Sequence, residues 1–165
     1  MRNENYMEYM DGKRRFLTFF LQKEQYGIDI LNVSEIIATI KITPLPRTPR
    51  FVKGVINLRG SIIPVVDLRQ KFGMNSKKND LDTAIIISVI FDVKVGFIVD
   101  QVEDVLTFDK NDLVEVPQFA NRINTDFIEG MVKTENDVIM VLEMEKMLDE
   151  DLFSLLAHND MAAAS

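Results

Sequence analysis

The chain has no cysteine and no tryptophan, and its one histidine, His158, stands near the C-terminus. Without thiols there is no disulfide framework, no thiolate metal site and no cysteine nucleophile, a usage that suits a reducing compartment. A single histidine cannot supply a two-histidine metal centre and is poor material for a serine–histidine hydrolase. No GxxxxGK[ST], GxGxxG or GxSxG motif occurs, so nucleotide-dependent and serine-hydrolase mechanisms have no anchor. Catalysis is therefore not expected. No run reaches the ~18 apolar residues of a membrane span, so direct membrane insertion is not expected either. Residues 1–15 lack the apolar stretch of a signal peptide and read as a flexible tail, and residues 159–165 as a frayed end.

What is present fits one ordinary globular domain: 165 residues, 47% hydrophobic and 27% charged. The net charge of −7 is unevenly spread. Residues 1–80 carry 14 Lys+Arg against 8 Asp+Glu, whereas residues 81–165 carry 5 against 18. An acidic total disfavours bulk nucleic-acid binding. The basic half leaves room for a local anionic partner, or for two oppositely charged halves lying side by side.

Short β runs separated by turn residues dominate the chain. FLTFFL (16–21) is strand-like, Gln25-Tyr26-Gly27 reads as a turn, and Asp29 is placed to cap one helical turn over residues 30–33. ITPLPRTPR (42–50), with three prolines, is an extended connector. Residues 54–58 and 61–67 form two strands around a tight Arg59-Gly60 turn, and Pro64 argues that the second is an edge strand or is bent. Asp67 caps a short helix that Gly73 closes. The polar stretch 74–82 is the natural subdomain boundary. Beyond it, residues 83–90 are apolar enough to be covered on both faces, and Gly96 suggests a bulge in the following strand. Residues 127–134 and 138–142 pair across Glu135-Asn136-Asp137, and 143–157 is an amphipathic helix.

Few side chains suggest chemistry. Asp109-Lys110-Asn111-Asp112 lacks the glycine of an EF-hand loop, where Val114 stands. Arg47, Arg50, Lys53 and Arg59 gather around the proline connector and the NLRG turn. An arginine at a hairpin tip offers a rigid fork of donors to a carboxylate, either of a partner or of its own fold. A small barrel with a basic groove also admits an OB-like nucleic-acid-binding module, although Phe51 is the one aromatic residue close to these cations.

At GVINLRGSIIPVVDLRQKFG (54–73) the sequence resembles the CheW family, the coupling proteins of bacterial chemotaxis. YGIDILNVSEI (26–36), RFVKGVINLRG (50–60), VGFIVDQVEDVL (95–106) and FIEGMVKTENDVIMVLEMEKML (127–148) extend the likeness over nearly the whole chain. The resemblance implies an all-β fold: two small five-stranded SH3-like β-barrels packed on a shared core, plus a C-terminal amphipathic helix. The CheW-like domain would span residues 16–158. One subdomain would cover about 16–80, closed by the helix, and the second about 81–142.

The implied function is that of a cytoplasmic adaptor without catalysis or cofactor. Such a protein couples the cytoplasmic tip of methyl-accepting chemoreceptors to the regulatory domain of the histidine kinase CheA, at membrane-associated arrays. Carried over by position, Ile30, Val33 and Glu35 match the family's kinase-binding surface. Lys53, Gly54 and Arg59 match its receptor-binding groove, and Val99 and Val102 would line the groove's second wall.

Overall fold

Continuous apolar runs, such as residues 85–87 and 95–99, give the central strands two apolar faces that the fold buries, whereas alternating runs, such as residues 33–38, leave one face to solvent. The computed structural model describes residues 12–75, 77–117 and 126–148. The strands are β1 (Lys13–Leu21), β2 (Glu24–Asp29), β3 (Val33–Ala38), β4 (Val52–Leu58), β5 (Ser61–Asp67), β6 (Ala84–Ile90), β7 (Val93–Val99), β8 (Gln101–Asp109), β9 (Leu113–Val114), β10 (Ile128–Lys133) and β11 (Val138–Leu142). Two single-turn helices, α1 (Leu68–Lys71) and α2 (Met144–Met147), follow β5 and β11.

The strands form one six-stranded sheet, β8-β1-β2-β11-β10-β9, and one five-stranded sheet, β3-β6-β7-β5-β4. Most pairs are antiparallel; β2–β11 and β5–β7 are parallel. Each sheet has a private core. Phe16, Val132 and Val141 fill that of the six-stranded sheet, with Phe108 and Leu113 against them. Ile56, Ile63, Val65, Ile85, Ile87 and Ile98 fill that of the five-stranded sheet. The opposite faces meet in a larger shared core, where Leu17, Phe19 and Ile28 from one sheet pack with Val66, Ile86, Phe97 and Val99 from the other. Period-2 geometry assigns neighbours to different cores: Ile85 and Ile87 point to the private core and Ile86 to the shared one.

The all-β expectation holds, with five strands in one sheet and six in the other. The boundary at residues 74–82 does not separate the sheets. β6 and β7 join β3–β5, while β1 and β2 join β8–β11. The first strand begins at Lys13, so residues 13–15 are sheet rather than tail. The first turn falls at Gln22-Lys23, with Gln22 at φ 56°, and Gln25 to Gly27 lie inside β2. β5 is internal, and Pro64 sits just before its pairing with β7 begins at Val65.

Gly96 is not a bulge. The β6–β7 register runs unbroken from Ala84↔Val99 to Ile90↔Val93. A Cβ on Gly96 would stand 2.8 Å from Ile85 Cγ2, so the glycine is there for close packing. Of the expected C-terminal helix the described part is α2, whose N-cap Glu143 makes no side-chain capping bond. The rest of that helix, the run Asp149-Glu150-Asp151, and His158 lie outside the described residues.

Candidate functional site

The start of β3 is held by Asp29. Its Oδ1 accepts the Leu31 N–H at 3.0 Å, capping the 3-10 turn Ile30–Asn32 as its side chain suggested. Its Oδ2 accepts from Arg14 Nη2 at 3.1 Å, and Arg14 also forks onto Glu129 of β10, at 2.5 and 3.2 Å. Burial lowers the Arg14 pKa, but the bonds and charges of Glu129 and Asp29 outweigh it and the net shift is upward, so the cation is permanent. The turn carrying Ile30 is thus clamped to the six-stranded sheet.

Ile30 and Val33 are half-buried and pack against the shared core. Leu31 (38% exposed), between them, and Ile36 (44%), further along β3, show more apolar surface to solvent. Neither was singled out from the sequence. Alternation around Glu35 and the cap on Asp29 are the signals that point to them.

Glu35 receives a short ion pair from Arg59 Nη2. Arg59 and Gly60 form the β4–β5 turn with φ of 50° and 88°, and the Asn57 side chain accepts the Gly60 N–H at 2.9 Å. Two positive φ angles match the tight hairpin turn expected there. β3 and β4 are the two edges of the five-stranded sheet, so this pair spans them. A backbone bridge between Thr43 and Val55, with bonds of 2.8 and 2.9 Å, ties the proline connector after β3 to β4. The residue expected to face one partner is thus bonded to a residue expected to face the other.

The remaining groove residues do not assemble as expected. Lys53, half-buried, lies at the start of β4, and Arg59 just past its end, about 20 Å away at strand rise. Gly54 is buried at φ 140°, and a Cβ there would stand 2.0 Å from the Thr43 carbonyl oxygen. The missing side chain lets the proline connector close on β4. Val99 is fully buried in the shared core, because it follows Val95 and Phe97 on one face of β7. It forms no groove wall. Val102 is half-buried and packs on the same core.

Sequence reading missed a buried charge cluster. Arg69, 2% exposed, follows the cap of α1. Its Nε donates to Asp67 Oδ1 at 2.9 Å, its Nη2 to Asp67 Oδ2 at 3.2 Å, and its Nη1 to Asp100 Oδ1 at 2.9 Å. Asp100 Oδ2 in turn accepts the Gln22 N–H at 2.5 Å. Burial lowers the Arg69 pKa, but the bonds and charges of Asp67 and Asp100 prevail and raise it overall. This cluster ties the β1–β2 turn of one sheet to β5 of the other. Its only sequence signal is the Asp-Leu-Arg step within PVVDLR.

Among the described residues there is no group of three or more His, Cys, Asp or Glu placed to hold a metal ion. Asp109 to Asp112 instead close a 3-10 turn, with the Asp109 N–H donating to the Asp112 carboxylate at 2.9 Å. No helix among them is long and apolar enough to cross a membrane.

Fold and surface together define an all-β domain of two packed sheets, with Glu35 and Arg59 ion-paired at its surface and Gly54 and Val99 buried. The CheW-like domain family model matches residues 15–152, and the chain belongs to that family. It is 36% identical over 143 residues to the chemotaxis protein CheW of Klebsiella aerogenes, covering 87% of this chain and 86% of that one. It is 35% identical to CheW of Thermotoga maritima, covering 81% and 87%. The crystal structure of the scaffolding protein TtCheW from Thermoanaerobacter tengcongensis superposes with a TM-score of 0.76 at 38% identity, over 82% of this chain and 92% of that one.

Proposed function

We propose that this protein is a non-catalytic chemotaxis adaptor that couples methyl-accepting chemoreceptors to the histidine kinase CheA, acting in the cytoplasm at receptor arrays. The observation that carries this reading is the family match across nearly the whole chain. The clamped turn and edge strand support it physically. Ile30, Val33 and Glu35 form the kinase-facing surface. They lie where the backbone is fixed on both sides by Arg14–Asp29 and Arg59–Glu35, so little ordering entropy opposes docking.

Lys53 and Arg59 offer cations to the receptor side. Transmission requires only that receptor states differ in affinity for the adaptor, and a tenfold change in output takes about 1.4 kcal/mol of coupling.

The test is titration calorimetry with the isolated kinase regulatory domain. Ile30→Asp or Val33→Asp should weaken binding by about 2 kcal/mol or more, as at a central hot spot. Because both side chains lean on the shared core, Leu31→Asp serves as the variant least able to disturb the fold. Unchanged affinity in all three folded variants rejects the site. Failure of the wild-type protein to co-migrate with the kinase and a receptor tip fragment on a sizing column rejects the function.

A further inference from the structure

Leu81 is the most exposed large apolar side chain among the described residues, fully open to solvent. It does not stand on a loose loop. Residues 77–83 form a tied turn. Asp80 Oδ1 accepts the N–H groups of Asp82 at 2.9 Å and of Thr83 at 3.2 Å, and the Asp80 N–H donates to Thr83 Oγ1 at 2.9 Å. Lys77 Nζ pairs with Asp80 Oδ2 at 3.0 Å. Asn79 Oδ1 accepts from the buried Arg69 at 3.4 Å, which seats the turn on the charge cluster that ties the sheets together. A leucine held on such a turn, with no neighbour covering it, brings the fold no burial.

Register places the turn. Ala84, at the start of β6, lies opposite Val99 of β7, Ile98 opposite Asp67 of β5, and Val66 opposite Val52 of β4. Lys53 is therefore at this end of the five-stranded sheet, and it lines one cleft of about 320 Å³ with Lys77, Asn79 and Arg69. The Ile30–Val33 surface is at the other end. Ser88 of β6 lies opposite Val33, about 13 Å at strand rise from Ala84. A partner seated on the turn leaves that surface clear. Lys53, Lys77 and the exposed Lys78 bring cations beside Leu81, whereas Asp80 and Asp82 flank it directly. That mixture gives an anionic bilayer little purchase and suits a protein surface with an apolar notch and a carboxylate beside it.

We propose that the turn over residues 77–83 is a docking element for the receptor tip, with Leu81 entering an apolar notch of the receptor and Lys53 and Lys77 taking a receptor carboxylate. This inference rests on the reading that Lys53 faces the receptor, and it sets that contact at the Lys53 end of the sheet, away from Arg59. The turn is fixed before binding, so docking orders little new backbone.

The experiment measures Leu81→Ser and Lys53→Glu in the full chain by thermal melting and by calorimetry, against a receptor tip fragment and separately against the kinase regulatory domain. Leu81→Ser removes no buried area, so its melting midpoint should match wild type while receptor affinity falls about tenfold and kinase affinity holds. Wild-type receptor affinity in Leu81→Ser with lost affinity in Lys53→Glu overturns the docking turn and leaves the receptor reading of Lys53 standing. Wild-type receptor affinity in both variants, or no binding of the fragment by the wild-type chain, overturns that reading as well. A lower melting midpoint in Leu81→Ser, or an equal loss of kinase affinity, also overturns the proposal, because the side chain would then serve the fold or the other partner.

Discussion

Arg59, at the β4–β5 turn, is ion-paired to Glu35 of β3, across the two edge strands of the five-stranded sheet. The proposed function assigns these two positions to different partners. Here they form one unit, with the Arg59 side chain 69% exposed and that of Glu35 29%. Under the proposed function this contact couples the two sides, because displacing Arg59 releases Glu35.

Exposed ion pairs contribute little to folding, typically below about 1 kcal/mol. Arg59→Ala and Glu35→Ala should therefore melt close to wild type. Both should weaken kinase-domain binding, and the double variant should be no worse than the more damaging single one. A double-mutant cycle by calorimetry reads this coupling directly. Strictly additive losses would show that the two residues bind independently.

Arg69 behaves differently because it is buried. Arg69→Ala leaves the Asp67 and Asp100 carboxylates facing each other without their cation, and should destabilise the fold by about 3–5 kcal/mol. Denaturant unfolding measures it. Adding Asp67→Asn and Asp100→Asn to the Arg69→Ala chain should restore part of the loss. No recovery would mean that shape, rather than uncompensated charge, is what the cluster supplies.

Gly54 and Gly60 both have positive φ, 140° and 88°, but only Gly54 is crowded. Gly54→Ala forces the Thr43 backbone away from β4 and should cost about 3 kcal/mol or more. Gly60→Ala meets nothing within 4 Å and should cost about 1 kcal/mol through backbone strain alone. Thermal melts rank the two. Hydrogen exchange at the Thr43 and Val55 amides should speed up in the first variant and not in the second.

Much of the local structure was legible because it rests on local chemistry. The apolar run at 83–90, which forms β6, the Arg59-Gly60 turn and the caps at Asp29 and Asp67 each announce themselves within a few residues. Strand partnership does not. β2 pairs with β11 through register Gln25↔Ile139, and no signal near residue 25 names a partner that far away. A polar linker at 74–82 looked like a boundary only because exposed loops and domain borders share a composition. Val99 is given a groove wall by the family resemblance alone, whereas its alternation with Ile98 assigns it to the shared core. Arg69 escapes a sequence reading because a charged residue in a single-turn helix usually faces water, and its burial depends on Asp100, from the link between β7 and β8.

The order in which strands are used has a consequence for biosynthesis. Every strand of the five-stranded sheet comes from the contiguous segment 33–99, whereas the six-stranded sheet joins β1 and β2 to strands that begin at residue 101. On the ribosome, the first hairpin must wait with one flank of β2 unpaired until β11 emerges, and such long-range closure is slow. A nascent chain that stalls before residue 138 presents that bare flank to its neighbours, which makes interrupted translation the point at which this protein is most open to aggregation.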